Sequence, residues 1–237
     1  MIFNLDLLEE DPFAFFILFS ALGTALLLGI AFHEFSHAFI ADSLGDRLPR
    51  SRGRVTLNPL AHLDPLGTLL IATVGFGWGK PVPINPNATA NPQASLWMTA
   101  AAGPISNFIV AALAGIPIRA GLVEWSSPFF TPFTNNWGTA EYAGYYLSTL
   151  VLISVILGIF NLIPIAPLDG FKVVQGLLPR DLSIQFSQLE RFGPIILIVL
   201  IALPFLTGGE VGLLFDIMAP FIETLVNVFT GIDRELY

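Results

Sequence analysis

The sequence predicts an all-α polytopic membrane protein: about five transmembrane helices, with a small β or re-entrant element between the first and the second. Three observations predict it. Of 237 residues, 54% are hydrophobic and only 12% charged, about half the charged share of a typical soluble domain. Five apolar segments reach or approach the roughly 20 residues that a hydrocarbon core about 30 Å thick demands of a helix. The basic residues gather on one side of those segments. The chain is expected to form one membrane-embedded domain over 1–237, with a core over 13–180 and a C-terminal helical hairpin over about 192–229.

The first span is Phe13 to Phe32, and its helical pattern continues towards Ala41. Its acidic leader (Asp6, Glu9, Glu10, Asp11) is the opposite of the basic start of a cleaved signal peptide. The second span runs about Leu96 to Ile118 and the third about Tyr145 to Ile165. Phe192 to Leu206 is short. Val211 to Phe229 follows it after a Thr207-Gly208-Gly209-Glu210 turn. If all five cross, Arg47, Arg50, Arg52, Arg54, Lys80, Lys172, Arg180, Arg191 and Arg234 lie on one side and only Arg119 on the other. The positive-inside rule makes the crowded side cytoplasmic. The expectation is a multi-pass plasma-membrane protein with its N-terminus outside and its C-terminus inside.

Residues 43–94 follow neither a helical nor a disordered pattern. Gly53 to Leu57 suggests a short strand, and Thr68 to Phe76 is an apolar run between glycines, too short to span. Gly79 to Ile84 alternates and carries two prolines, which suits an edge strand. Irregular backbone of this kind tolerates membrane depth only where protein covers it or where it lines a wet cavity. Residues 121–142 read as an external loop rich in aromatic and small polar residues.

Cysteine is absent, which excludes disulfides and thiolate metal sites. The net charge of −8 and the lack of long Lys/Arg runs argue against nucleic acid as a partner. Any metal must be held by His, Asp or Glu. The sequence offers such a pattern in His33-Glu34-Phe35-Ser36-His37 at the end of the first span. Residues four apart share a helix face, so two imidazoles can grip one zinc ion while Glu34 serves as general base towards a water. Ionisable residues near or within membrane helices are rare and usually functional.

Catalytic zinc normally takes three protein ligands, so one is missing. Asp169, in Asn161-Leu162-Ile163-Pro164-Ile165-Ala166-Pro167-Leu168-Asp169-Gly170, follows the third span at the same end as the His pair. Pro164 and Pro167 break helical hydrogen bonding, and Gly170 permits a turn that could aim Asp169 inward. From topology alone, a metal ligand and an ordinary turn aspartate are equally good readings. Asp42 and Asp46 are poorer candidates because they stand among arginines, and Asp216 depends on the last span. Asn107 sits in mid-span after Gly103-Pro104, where it either bonds substrate or an oxyanion or ties two helices together; Asn161 is open in the same way. His62 is best read as a loop histidine with a backbone partner.

Together these residues resemble the site-2 proteases, intramembrane zinc metalloproteases, and in particular a compact prokaryotic branch without a PDZ or CBS domain. The resemblance rests on the His-Glu-Phe-Ser-His helix, Gly103-Pro104 with Asn107, and Asn161 through Leu168-Asp169-Gly170, and it covers about residues 13–180. It implies that His33, His37 and Asp169 bind one Zn2+ per chain, that Glu34 activates water, and that Asn161 helps to hold the substrate. The implied activity is a metalloendopeptidase that hydrolyses peptide bonds in or near transmembrane segments of other proteins. Its partners would be such a substrate, the lipid bilayer and, with no regulatory domain in view, a regulatory partner protein. An edge strand around Pro81 to Asn85 could capture the unwound substrate by strand addition. The alternative is a divalent-metal transporter or a non-catalytic homologue. Against a transporter, the polar groups gather at one end of the spans instead of lining a full path.

Overall fold

The computed structural model describes residues 11–67, 70, 79–128, 137–209 and 211–232. Helix α1 (Pro12–Ser43) starts where Asp11 caps the N–H of Ala14 at 2.9 Å with Pro12 in the first turn, the arrangement expected at a helix start. It runs 32 residues, about 48 Å, well beyond a hydrocarbon core of about 30 Å. It stops at Gly45, whose positive φ of 113° suits a residue without Cβ. After the single turn α2 (Leu48–Ser51), helix α3 (Pro92–Arg119) repeats the start signal, with the Asn91 side chain accepting from the Ala94 N–H. Helix α4 (Thr139–Asn161) begins where Glu141 accepts the N–H of Gly138 at 2.9 Å.

These three helices make the centre. The α1–α3 pair is antiparallel, since Asn107 meets His33 and Thr99 meets His37. The α1–α4 pair is parallel, with Phe13 stacked edge-on to Tyr142 and the Tyr146 hydroxyl donating to Thr24 at 2.8 Å. Small residues let the backbones approach, as membrane packing favours. A Cβ on Gly158 of α4 would stand 2.8 Å from Cδ1 of Phe108 on α3. Helix α4 is the most enclosed of the spans, with 56% of its apolar window buried.

The chain then folds back through α5 (Asp169–Leu177) and α6 (Arg180–Ser187) to α7 (Gly193–Leu206) and α8 (Leu213–Thr230). Five helices are long and apolar enough to cross a membrane: α1, α3, α4, the run Arg180–Leu206 that contains α6 and α7, and α8. Only 11% of the apolar window in that Arg180–Leu206 run is buried, and residues such as Ile195, Ile198 and Phe205 lie exposed, a face that suits lipid.

Helix α7 by itself has 14 residues, about 21 Å, and reaches spanning length only within the 27-residue run Arg180–Leu206. Its first residue, Gly193, packs against Ala166 near Asp169, whereas α8 ends with Phe229 against Gly115 and Gly231 against Arg119, at the far end of α3. The stretch from Gly193 to Gly231 therefore leads from the Asp169 end of the bundle to the far end of α3. Gly231 lies at the Pro12 end of the bundle, not at the end that carries the His pair, because α1 and α3 are antiparallel.

Of the expected small β or re-entrant element, the β part does not form: among the described residues no strand lies between α1 and α3. There is one isolated antiparallel bridge, Leu63 to Gly79. Gly53 to Leu57 is turn and bend, since Arg54 is recruited as a clamp, donating to the carbonyls of Ala61 (2.5 Å), Lys80 (3.2 Å) and Pro81 (3.4 Å). The expected run Thr68 to Phe76 lies outside the described residues, Leu70 excepted. From Lys80 to Ile84 the chain forms neither helix nor strand, and Lys80 donates its N–H to the His62 carbonyl at 2.7 Å.

Candidate metal centre

The helical repeat of α1 sets both imidazoles on the face that meets α3 and α5. Their ring centroids are 4.6 Å apart and nearly perpendicular. Nε2 of His33 lies 2.9 Å and Nε2 of His37 3.2 Å from the same oxygen, Oδ2 of Asp169. The ligand atoms of the three residues all fall within 4.8 Å of one another.

Asp169 arrives there for local reasons. Helix α4 stops at Asn161, and the stretch with Pro164 and Pro167 turns back before α5 starts at Asp169 itself. The return is tight: a Cβ on Gly170 would stand 2.5 Å from the carbonyl oxygen of Ile163. Helix α5 is then pinned to α3, with Gly176 under Trp97 and the Gln93 amide donating to the Leu178 carbonyl.

The donor set fits zinc. Two imidazole nitrogens and one carboxylate oxygen are a catalytic-type set, and bonds of about 2.0–2.1 Å in a tetrahedron put donor atoms about 3.3 Å apart, close to the separations found. The side chains of His33, His37 and Asp169 are 10%, 7% and 14% exposed, so water competes little for them. The rear ring nitrogens are held as well. Nδ1 of His37 donates to the Thr99 carbonyl at 2.7 Å, and Nδ1 of His33 faces Nδ2 of Asn107 at 3.2 Å. Gly103 of α3 leaves the front open: a Cβ there would lie 2.5 Å from Nε2 of His37 and 2.6 Å from Nε2 of His33.

Glu34 is half-buried beside the pair, and its Oε2 accepts the N–H of Val82 at 3.2 Å. That contact changes the expectation for Pro81 to Asn85. Pro81 and Pro83 have no N–H, Val82 gives its own to Glu34, and Asn85 gives its own to Oδ2 of Asp46 at 2.5 Å. Only Ile84 is left to donate, so this segment is a poor ladder for strand addition and instead braces the Glu34 carboxylate.

The other candidates fall outside the cluster. Asn161 spends its amide on the Leu157 carbonyl of its own helix at 2.9 Å. His62 is fully buried and bonds the Thr56 carbonyl at 2.8 Å. Asp42 pairs with Arg47 and Arg50, while Asp46 caps Leu48 and holds Asn85. Thr99 was not singled out by sequence reasoning, Gly103 was marked only as part of the Gly103-Pro104 motif ahead of Asn107, and Val82 only as part of the expected edge strand. The Pro-Val-Pro spacing signals Val82, because it leaves one donor in three residues.

The sequence model of peptidase family M50 matches residues 120–203, a stretch that contains Asn161 and Asp169. Relatives extend the likeness across the His pair. YwhC of Bacillus subtilis (strain 168), named as a zinc metalloprotease, is 32% identical over 211 residues, which are 89% of this chain and 91% of YwhC. Rip2 of Mycobacterium tuberculosis, also named as a zinc metalloprotease, is 30% identical over 218 residues, 87% of this chain and 77% of its own. Rip2 of Mycolicibacterium smegmatis is 29% identical over 191 residues, 75% and 65% of the two chains. No solved structure matches the chain. With near full-length likeness to a relative and a donor set suited to zinc, the chain belongs to peptidase family M50, the site-2 metalloendopeptidases, and is a multi-pass membrane zinc metalloprotease.

Proposed function

We propose that the protein is an intramembrane endopeptidase that cuts within or beside transmembrane segments of other membrane proteins. His33, His37 and Asp169 hold the zinc and Glu34 is the base. The observation that carries this is the convergence of Nε2 of His33 and Nε2 of His37 on one Asp169 oxygen, at 2.9 and 3.2 Å, between apolar helices. The site also lies inside the bundle. His37 and His33 are six and ten residues from the Ser43 end of α1, about 9 and 15 Å along the axis. Gly103 is eleven residues from the Pro92 end of α3, about 17 Å.

A zinc ion bound there supplies Lewis acidity to a water and to the scissile carbonyl. The Glu34 carboxylate takes a proton from that water and returns it to the leaving amine. The brace from Val82 keeps the carboxylate aimed while this happens. A substrate helix must unwind locally first, because its carbonyls are hydrogen-bonded along the helix. Arg47, Arg50, Arg52, Arg54, Lys80, Lys172, Arg180 and Arg191 cluster at the site end and Arg119 at the other, so the site end faces the cytoplasm and Pro12 and Gly231 face outward.

The test uses purified protein in detergent with a single-span membrane substrate. Glu34→Gln should keep one zinc per chain and lose cleavage by about 100-fold or more, the usual worth of a general base. Equal cleavage by the two proteins would exclude the mechanism. Zinc retained after His33→Ala or Asp169→Ala would exclude the ligand set.

A further inference from the structure

We infer that Asn107 is a positioning residue for the metal, fixing the tautomer of His33 by turning its side-chain amide. This rests on the reading of His33 as a zinc ligand.

The two histidines are held differently from behind. His37 donates Nδ1–H to the Thr99 carbonyl, 2.7 Å away, which can only accept. Its Nε2 therefore keeps its lone pair pointing forward. His33 has no backbone carbonyl behind it. It faces the buried amide of Asn107, with Nδ2 at 3.2 Å from Nδ1. An amide nitrogen only donates, so this contact makes Nδ1 the acceptor and leaves the ring proton on Nε2. That proton is directed at Asp169, 2.9 Å away. The arrangement is self-consistent, but the nitrogen that must bind zinc then carries a hydrogen.

Ligation through Nε2 demands the other tautomer, with the proton on Nδ1 and an acceptor behind it. Metal-bound histidines regularly have such an acceptor, and it also raises their basicity. Asn107 contains one. Its Oδ1 is buried and has no hydrogen-bond partner among the described residues, a state that buried carbonyl oxygens rarely keep. The two ends of a primary amide differ little in size. A half turn about the Cβ–Cγ bond leaves the packing intact and brings Oδ1 to the place Nδ2 occupies, where it accepts Nδ1–H. The residue is 1% exposed, so no water substitutes for it. Leucine has the shape without the acceptor, and aspartate has the acceptor without the donor. Of the three, only asparagine serves both tautomers.

The test compares wild type, Asn107→Asp, Asn107→Leu and His33→Ala, purified in detergent. Zinc affinity is measured by competition with a chelating dye, and the cobalt-substituted visible spectrum reports ligand geometry. Asn107→Leu should weaken zinc by about 10- to 100-fold, the usual effect of losing the partner behind a ligating histidine. Asn107→Asp should hold zinc as well as wild type and keep its cobalt spectrum. Wild-type affinity in both variants would overturn the inference. Equal loss in both would show that the donor matters, as in a plain tie between helices, and would overturn it too. Where a variant fails to fold, nitrogen NMR of histidine-labelled, zinc-loaded wild type decides: His33 should carry its proton on Nδ1, and a proton on Nε2 refutes the inference. Failure of the zinc-ligand reading looks different, since His33→Ala would then bind zinc like wild type.

Discussion

The sharpest consequence of the geometry concerns a residue with no side chain. Gly103→Ala adds one methyl group, 2.5 Å from Nε2 of His37 and 2.6 Å from both Cε1 and Nε2 of His33. Ordinary contact begins at 3.4 Å, so the methyl intrudes by 0.8 to 0.9 Å on the face from which both nitrogens would bind metal. The rings cannot withdraw freely. Each is held from behind, by Thr99 and by Asn107, and the α1 backbone is packed against α3. The rings or the helix must therefore shift by most of an ångström. Overpacking of this size costs about 1–3 kcal/mol of stability, and a misplacement near 1 Å lowers catalysis about 100-fold. The assay is zinc per chain and the cleavage rate of a single-span substrate, with Gly23→Ala as control. Gly23 is also on α1, but a Cβ there meets nothing within 4 Å. Gly103→Ala should lose zinc and about 100-fold or more in rate, while Gly23→Ala keeps both. Full zinc and wild-type cleavage by Gly103→Ala would refute the placement of the metal between α1 and α3.

Two further predictions use other parts of the structure. Val82→Pro removes the N–H that, among the described residues, braces Glu34; a hydrogen bond to a charged group is worth about 1.5–3 kcal/mol, so cleavage should fall about 10- to 100-fold with zinc unchanged, and an unchanged rate would show the brace to be idle. The chain has no cysteine, so single cysteines report topology without background: on intact cells an impermeant thiol reagent should label Ala120→Cys and Ile232→Cys and spare Gln188→Cys, and protection of Ile232→Cys would refute its placement on the outer side.

The chemistry of the site was largely legible because side chains at fixed helical spacing carry it. His33 and His37 share a face whatever surrounds them, and Glu34 follows from the same helix. Asp169 was legible only as one of two readings, because the sequence marks the broken segment at Pro164 and Pro167 but not where that segment points. What stayed hidden is the work of backbone and of absence. Thr99 acts through its carbonyl, which every residue has. Gly103 acts by having no Cβ. Asn107 was visible as a polar residue at depth, yet its partner was not, since which α1 residue it meets depends on the α1–α3 register.

The C-terminal helices show a different limit. Hydropathy counts how many segments lipid tolerates, and Phe192 to Leu206 passes that count. It does not say where the ends of a segment lie against the other helices. Those positions depend on two close backbone approaches, Gly193 on Ala166 and Gly115 on Phe229. Both are glycine contacts between elements distant in sequence, so no local pattern announces them. Gly193 rests on the turn that delivers Asp169, so α7 braces the segment of the proposed third ligand while its outer face suits lipid. Substitution at Gly193 should therefore be felt at the metal, although no residue of α7 touches it.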